Sequence, residues 1–540
     1  MAMSLFRKHK TEPKESGDLL RRLPALAREQ EAYIIGCRRQ FHRQPETGGR
    51  EKKTSAFIRQ EAEKLGLPVE EVSTTGLLVT LDTGRPGSSV ALRADIDALP
   101  IQESPDNAKG PRAVISENPG VAHLCGHDAH TGMLLGAMQV LNRVKSELCG
   151  TIYFCFEEGE ETGTGFGGMV DALQKRNVNT VFGLHVASEL EHGQVSVVSG
   201  ARMAGTQEID VTFIGRGGHG SRPDLSINPV YTAAAAVCEL AIAFANQIDP
   251  NDPVTLGITS ITGGNAANVF PDTARVRGSM RFFSAEAGKR ALNIVKKVFE
   301  KSAEMHNCQV DFGAQMSVFL LPVVNDEDAV RVAKAAFMKA LPDARLATLE
   351  RSFGSETFSH YLASFKGVFA HLGIRNEELG VTAGYHNEHF DVDESALVTG
   401  TVCHCAYAIA ATTDPEIAVW TWREAPVTAY DEEDDDGEDM NRADASRAAG
   451  EPDQAGGASG ASAAGNAGRP KYSVDTKIKV LMKSDAAKAA IEAVVPGVVT
   501  HPQIGFVKGM SIRKAAELAP EMITAETLSK LDAALAAVEE

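Results

Sequence analysis

A change of rhythm part-way along the chain constrains the fold most. Helical periodicity at 19–44 and 51–65 precedes strand-like runs at 76–82 and 89–96. Helices then alternate with strands, and the runs at 150–156 and 180–186 are short, apolar and rich in β-branched and aromatic residues. That alternation predicts an α/β sheet covered on both faces. Between 204 and 313 the order becomes strand (206–214), helix (228–245), two strands (254–262 and 274–283), helix (285–306) and strand (308–312). This is a split βαβ unit. It can close on itself as a compact sandwich, so it is expected as an insertion into the larger domain, whose elements resume near 326 and run to about 413.

The expected class is therefore α/β: an open mixed sheet flanked by helices, an inserted βαββαβ domain, and a small helical module at the C-terminus. The 540 residues exceed what one ordinary core organises. The boundaries read as 18–203 and 315–424 for the two parts of the main domain, 204–314 for the insertion, 425–471 for a linker and 472–540 for the appended module. The linker is acidic and then Gly-, Ala- and Ser-rich, a composition that buries too little apolar surface to offset ordering entropy. Beyond it, 486–494, 512–518 and 525–538 read as short helices.

Charge narrows the partners. The net charge is −18, but eight acidic residues fall between Asp431 and Asp439, so the remainder is only mildly acidic. No clustered basic face is visible, which argues against nucleic acid. Residues 1–15 are basic without an apolar run, so no secretory signal is read there, and no membrane-spanning window of about 18 apolar residues is expected elsewhere. Eight scattered cysteines without a small-domain framework point to free thiols and a cytoplasmic location. Cys403 and Cys405 flank His404 in an alanine-rich helical run, where buried packing is expected over a metal clip.

The sharpest chemical signal is His123-Leu124-Cys125-Gly126-His127-Asp128-Ala129-His130. Thiolate and neutral imidazole are strong ligands for zinc-like ions, and Gly126 lets the chain turn both toward one centre. Glu160-Glu161 follows the strand at 150–156, and His185 is expected at the end of the strand at 180–186. Loops after consecutive parallel strands converge at the carboxyl edge of an open sheet, where ligands bind. Asp95 and Asp97 end another apolar strand, on one face by alternation.

With these motifs assembled, the chain resembles the metallopeptidase-like amidohydrolases that include hippurate hydrolases, auxin-conjugate hydrolases, N-acetyldiaminopimelate deacetylases and relatives of aminoacylase. The resemblance spans 32–413 and rests on ordered motifs. They are Phe41-His42-Arg43-Gln44-Pro45-Glu46, the run 93–100, the run 125–130, Glu160-Glu161, Gly183-Leu184-His185, Gly217-Gly218-His219, Asn268-Val269-Phe270-Pro271-Asp272 and His386-Asn387-Glu388-His389-Phe390.

The resemblance implies two divalent metal ions, Mn or Zn with Co or Ni as alternatives, held by Cys125, His127, Glu161, His185 and His386. It implies Glu160 as catalytic base supported by Asp97, and an inserted lid and dimerisation domain contributing His219, Asn268 and Arg281 to the substrate. The implied reaction is hydrolysis of the amide of an N-acyl amino acid or short peptide by a homodimer. Two alternatives accompany it: a thiol hydrolase using Cys125 with His127 or His130, and a metal-containing binding protein without turnover. One departure stands out. Relatives read Gln-Pro-Ala before the paired glutamates, whereas this chain reads Glu157-Glu158-Gly159, so a second acid pair could compete for metal or alter the pocket's charge.

Overall fold

The computed structural model describes residues 14–313, 316, 320–342 and 346–423 and, further on, 472–474, 476, 478–482, 484–495, 511–513 and 525–538. They fall in two units, one up to 428 and one from 429. The expected linker 425–471 lies outside the described residues, as does most of the expected helix 512–518.

In the first unit an eight-stranded mixed sheet runs in the spatial order Val69–Glu71, Leu77–Asp82, Thr151–Glu157, Ser89–Asp95, Thr180–Glu191, Gly367–Arg375, Val195–Ser196 and Leu346–Ala347. The centre is parallel: Ser89–Asp95 pairs in parallel with Thr151–Glu157 and Thr180–Glu191, which pairs in parallel with Gly367–Arg375. These strands carry near-continuous apolar runs because both faces are covered. Alternation assigns the faces: Val90, Leu92, Phe182 and Leu184 meet the helices Lys14–Arg28, Glu31–Arg43, His127–Arg143, Glu327–Ala340 and Leu397–Thr413, whereas Ala91 and Val181 meet Phe166–Lys175 and Phe358–Ser364. Each buried Leu or Phe contributes about 1.5–3 kcal/mol.

Within the same unit, a four-stranded sheet runs in the order Val254–Thr262, Thr273–Phe282, Gly205–Ile214 and Gln309–Phe312, all antiparallel. Helices Pro229–Gln247 and Ala285–Met305 pack on it. Gly205–Ile214 alternates buried and partly exposed residues, as a sheet covered on one face requires. Both helices begin on capping side chains: Asn228 Oδ1 accepts from the Val230 N–H at 3.0 Å, and Ser284 Oγ from the Ala287 N–H at 3.1 Å. In the second unit, helices Ile478–Leu481, Asp485–Val494 and Ala525–Ala536 contribute to one apolar cluster with Val474, Leu481, Ala487 and Leu535 buried.

Three expectations are corrected. The helical stretch 19–44 is two helices, Lys14–Arg28 and Glu31–Arg43, broken at 29–30. The strand expected over 180–186 continues to Glu191, because its ladder with Gly367–Arg375 persists past the apolar run, so His185 sits inside the strand. Two helices, Pro229–Gln247 and Glu394–Thr413, are long and apolar enough to cross a membrane by length and composition. The second is mostly buried core, and alanine-rich composition explains why both pass.

Candidate active site

The site forms where the chain leaves the carboxyl ends of Ser89–Asp95 and Thr151–Glu157 and enters the helix His127–Arg143. Gly126 caps that helix at φ +98°, and a Cβ there would meet Val186 Cγ2 at 2.4 Å, so only glycine lets Cys125 and His127 turn inward. His386 arrives from a distant loop at φ +59°, an uncommon backbone for a non-glycine residue, its N–H donating to Leu124 O at 2.8 Å.

Two sets of donor atoms emerge: Cys125, His127 and His185, and Cys125, Glu161 and His386, each with all atoms within 4.8 Å of one another. They share the Cys125 thiol. A further set joins His127 with Glu160 and Glu161. The partners behind them set the tautomers. His127 Nδ1–H donates to Asp97 O at 3.0 Å and Oδ1 at 3.1 Å, which leaves Nε2 buried without a partner. His185 Nδ1–H donates to Val186 O at 2.7 Å and turns Nε2 toward Cys125 Sγ at 3.6 Å. Asp97 Oδ2 accepts from the Glu161 N–H at 3.1 Å, so one carboxylate orients two of the donors. His386 Nε2 lies 3.2 Å from Glu161 Oε1.

His130 is excluded from this set. Its Nδ1–H donates to Asp95 Oδ1 at 2.6 Å and its Nε2 accepts from the Val186 N–H at 3.0 Å, so no lone pair is free although it groups spatially with Asp95 and His127.

Burial pushes the Cys125 thiol up, with Glu161 and Glu160 adding to the effect against the pull of His127. It also holds His185 well below the usual imidazole range and, with Glu356 nearby, Glu160 well above the usual carboxylate range. Burial disfavours the free thiolate there, which weighs against a thiol nucleophile. An orphaned imidazole nitrogen, a thiol and carboxylates crowded into one buried space fit divalent cations, whose charge relieves each of these penalties.

The residues around the four-stranded sheet are arranged differently. His219 lies on the short ribbon Gly218–His219 paired with Val269–Phe270, its Nδ1 accepting from Ser221 N–H at 3.1 Å and Oγ–H at 2.8 Å. Asn268 O accepts from the Gly220 N–H at 2.7 Å. These two are neighbours, but their bonds stay within the module. Arg281 reaches back: its Nη1 donates to Ser355 Oγ at 3.2 Å, just before Thr357, whose N–H donates to Glu160 Oε1 at 3.1 Å.

The profile of peptidase family M20/M25/M40 matches residues 91–410. The chain belongs to that family. Among its relatives, the IAA-amino acid hydrolase ILR1-like 4 of Arabidopsis thaliana is 34% identical over 379 residues, 70% of this chain and 85% of the relative. The N-acyl-L-amino acid amidohydrolase of Geobacillus stearothermophilus is 32% identical over 305 residues, 56% of this chain and 80% of the relative. The YXEP protein of Bacillus subtilis, a dinuclear metal-binding peptidase of the M20 family, superposes with a TM-score of 0.60 at 28% identity, covering 71% of this chain and 98% of that one. This M20 protein is thus a metal-dependent amide hydrolase, which sets aside the binding-protein alternative.

The second acid pair faces away from the donors of this M20 site. Glu157 accepts from Arg93 Nε at 3.0 Å and from Thr357 Oγ1–H at 2.6 Å. Glu158 accepts from the hydroxyl of Thr75 at 2.6 Å and from the N–H groups of Thr75 and Gly76, capping the 74–76 turn. Neither occurs in a donor set among the described residues. Cys403, His404 and Cys405 are buried core, His404 edge-on to Phe182 at 5.2 Å.

Sequence reasoning passed over Arg93, Glu356 and Thr357, and also the ion cluster in which Arg38 Nε donates to Asp128 Oδ2 at 2.8 Å and His42 bridges Asp128 and Glu103. An arginine or glutamate amid apolar residues in a core strand was the available signal, since such groups are buried only when paired.

Proposed function

We propose that the protein removes the acyl group from N-acyl amino acids or short peptides, using two divalent cations held by Cys125, His127, His185, Glu161 and His386. The observation that carries this reading is the pair of donor sets sharing Cys125, with Glu160 beside them. Bound there, Mn, Zn or a similar ion would polarise the scissile carbonyl and lower the pKa of water. Glu160 takes the proton from water and delivers it to the departing amine nitrogen. Asp97 holds His127 and the Glu161 backbone in place.

His219 and Asn268 supply N–H groups to the oxyanion and Arg281 binds the substrate carboxylate. Among the described residues the hydrogen bonds of His219 and Asn268 lie within 204–314, so their reach to the substrate requires closure of that region or its contribution from a second copy in a homodimer. The relatives' names, hydrolases of amino-acid conjugates and N-acyl amino acids, support the substrate class.

The test is hydrolysis of N-acetyl, N-benzoyl and indole-acyl amino acids by metal-stripped protein before and after adding Mn, Zn or Co. Metal-dependent release of free amino acid is expected. Stoichiometric metal binding without turnover on any of the panel would sink the substrate reading.

A further inference from the structure

We infer that Glu157 and Thr357 are positioning residues that hold the Glu160 carboxylate in place for its proton transfer. The inference rests on the reading of Glu160 as the base. Thr357 touches Glu160 through its backbone: the N–H donates to Oε1 at 3.1 Å. That leaves Oε2 as the oxygen not tied to this bond, so the angle at which Glu160 meets a proton depends on where the Thr357 peptide sits.

The side chain of Thr357 fixes that peptide from behind. Its hydroxyl donates to Glu157 Oε1 at 2.6 Å and accepts from Arg93 Nη2 at 2.9 Å. Arg93 in turn closes the ring, its Nε donating to Glu157 Oε2 at 3.0 Å and its Nη1 to Asp95 Oδ2 at 2.7 Å. Glu356, 2.9 Å from Arg93 Nη2, accepts from the Phe358 N–H at 2.9 Å and pins the other side of the same peptide segment. Arg93, Glu157 and Thr357 are all essentially inaccessible to solvent. In such surroundings charge-assisted bonds are strong and a lost partner is costly.

A carboxylate at 157 suits this geometry for a specific reason. Both of its oxygens meet donors, Arg93 on one and the Thr357 hydroxyl on the other. A glutamine would present an amide N–H to one of them; facing Thr357, it would make the hydroxyl turn its proton to the longer contact with Glu356 Oε1 at 3.3 Å. Glu157, one half of the second acid pair, therefore has a use outside the donor sets: it anchors the segment that orients the base.

The experiment measures kcat, KM and metal stoichiometry for the metal-loaded full chain in Thr357→Val, Thr357→Ser, Glu157→Gln and Glu160→Gln. Thr357→Val keeps the side-chain shape and removes the hydroxyl. It is expected to lower kcat about 10- to 100-fold, the scale of a small misplacement of a reacting group, with KM within about 2-fold of wild type and metal content unchanged. Thr357→Ser restores the hydroxyl and should keep kcat within about 3-fold of wild type. Glu157→Gln should lower kcat in the same direction with KM held, and it carries the test should Thr357→Val not fold.

Wild-type kcat in Thr357→Val, or equal losses in the Val and Ser variants, overturns the positioning role while the base reading stands if Glu160→Gln is inactive. Substantial turnover in Glu160→Gln overturns the base reading itself, and the positioning role with it.

Discussion

The edge of the large sheet and the four-stranded module treat their polar groups in opposite ways. At the edge, His127, His130, Asp95, Asp97, Arg93 and Glu157 are all buried, and each has a partner from another element. In the module, His219 is exposed and bonded two residues away, and its ion pairs, such as Arg275 with Asp210, lie at the surface. The first arrangement over-determines positions, as a metal centre needs. The second leaves side chains free to meet a ligand that arrives later. The sheet edge thus holds its polar groups through bonds between elements, whereas the side chain of His219 is held by its own turn.

Loss of a buried charge at the sheet edge should be felt most. Arg38, buried against Asp128 at 2.8 Å and Glu394 at 3.2 Å, ties down the start of the helix His127–Arg143. Replacing it with methionine strands those carboxylates and should cost about 3–5 kcal/mol in denaturant unfolding. A loss below about 1 kcal/mol would show that the buried cluster is no more binding than a surface pair. His219→Ala should come next, lowering kcat about 10²- to 10³-fold, the scale of a lost oxyanion donor, with metal content at wild type. Metal loss in this variant would erase the division of labour.

Asp97→Asn should weaken metal binding about 10- to 100-fold in chelator competition, the usual cost of disturbing a ligand's partner. Unaltered affinity would move Asp97 out of the supporting role. Acid titration sharpens the contrast further. Against burial, which would raise them, Arg38 and His42 hold Asp128 below the usual carboxylate range, and His42, the Ser116 N–H and Arg112 hold Glu103 below it. Folded values below unfolded ones mean stability that is complete above about pH 4 and is lost as pH falls through the lowered values. The melting temperature of metal-free protein should therefore drop below that pH, and Arg38→Met should flatten the slope. The smallest effect is expected from Arg275→Met, under about 1 kcal/mol because its pair is exposed.

Much of this was legible in the chain. The strand–helix order of 204–313 foretold the four-stranded antiparallel sheet and its helices, because local periodicity is enough where each strand buries one face. Cys125, His127, Glu161, His185 and His386 were visible as chemistry-bearing residues after strands or in matched motifs, and the structure gathers them. The strand that starts at 180 runs past its apolar stretch, since Ala187 to Glu191 is set by pairing with Gly367–Arg375 and not by its own apolar content.

Residue types and, roughly, the element each occupies follow from the chain alone, because periodicity, turn residues and motif spacing are local properties. What each polar group does depends on contacts between elements. His127 and His130 are three residues apart on one helix, yet one keeps a free nitrogen and the other spends both, because Asp97 and Asp95 with Val186 reach them from other elements. Glu157 and Glu160 are likewise three apart: one turns into the core toward Arg93 while the other stands beside the donors. Hydrogen bonds and burial between segments far apart in the chain make that choice, and no local pattern encodes them.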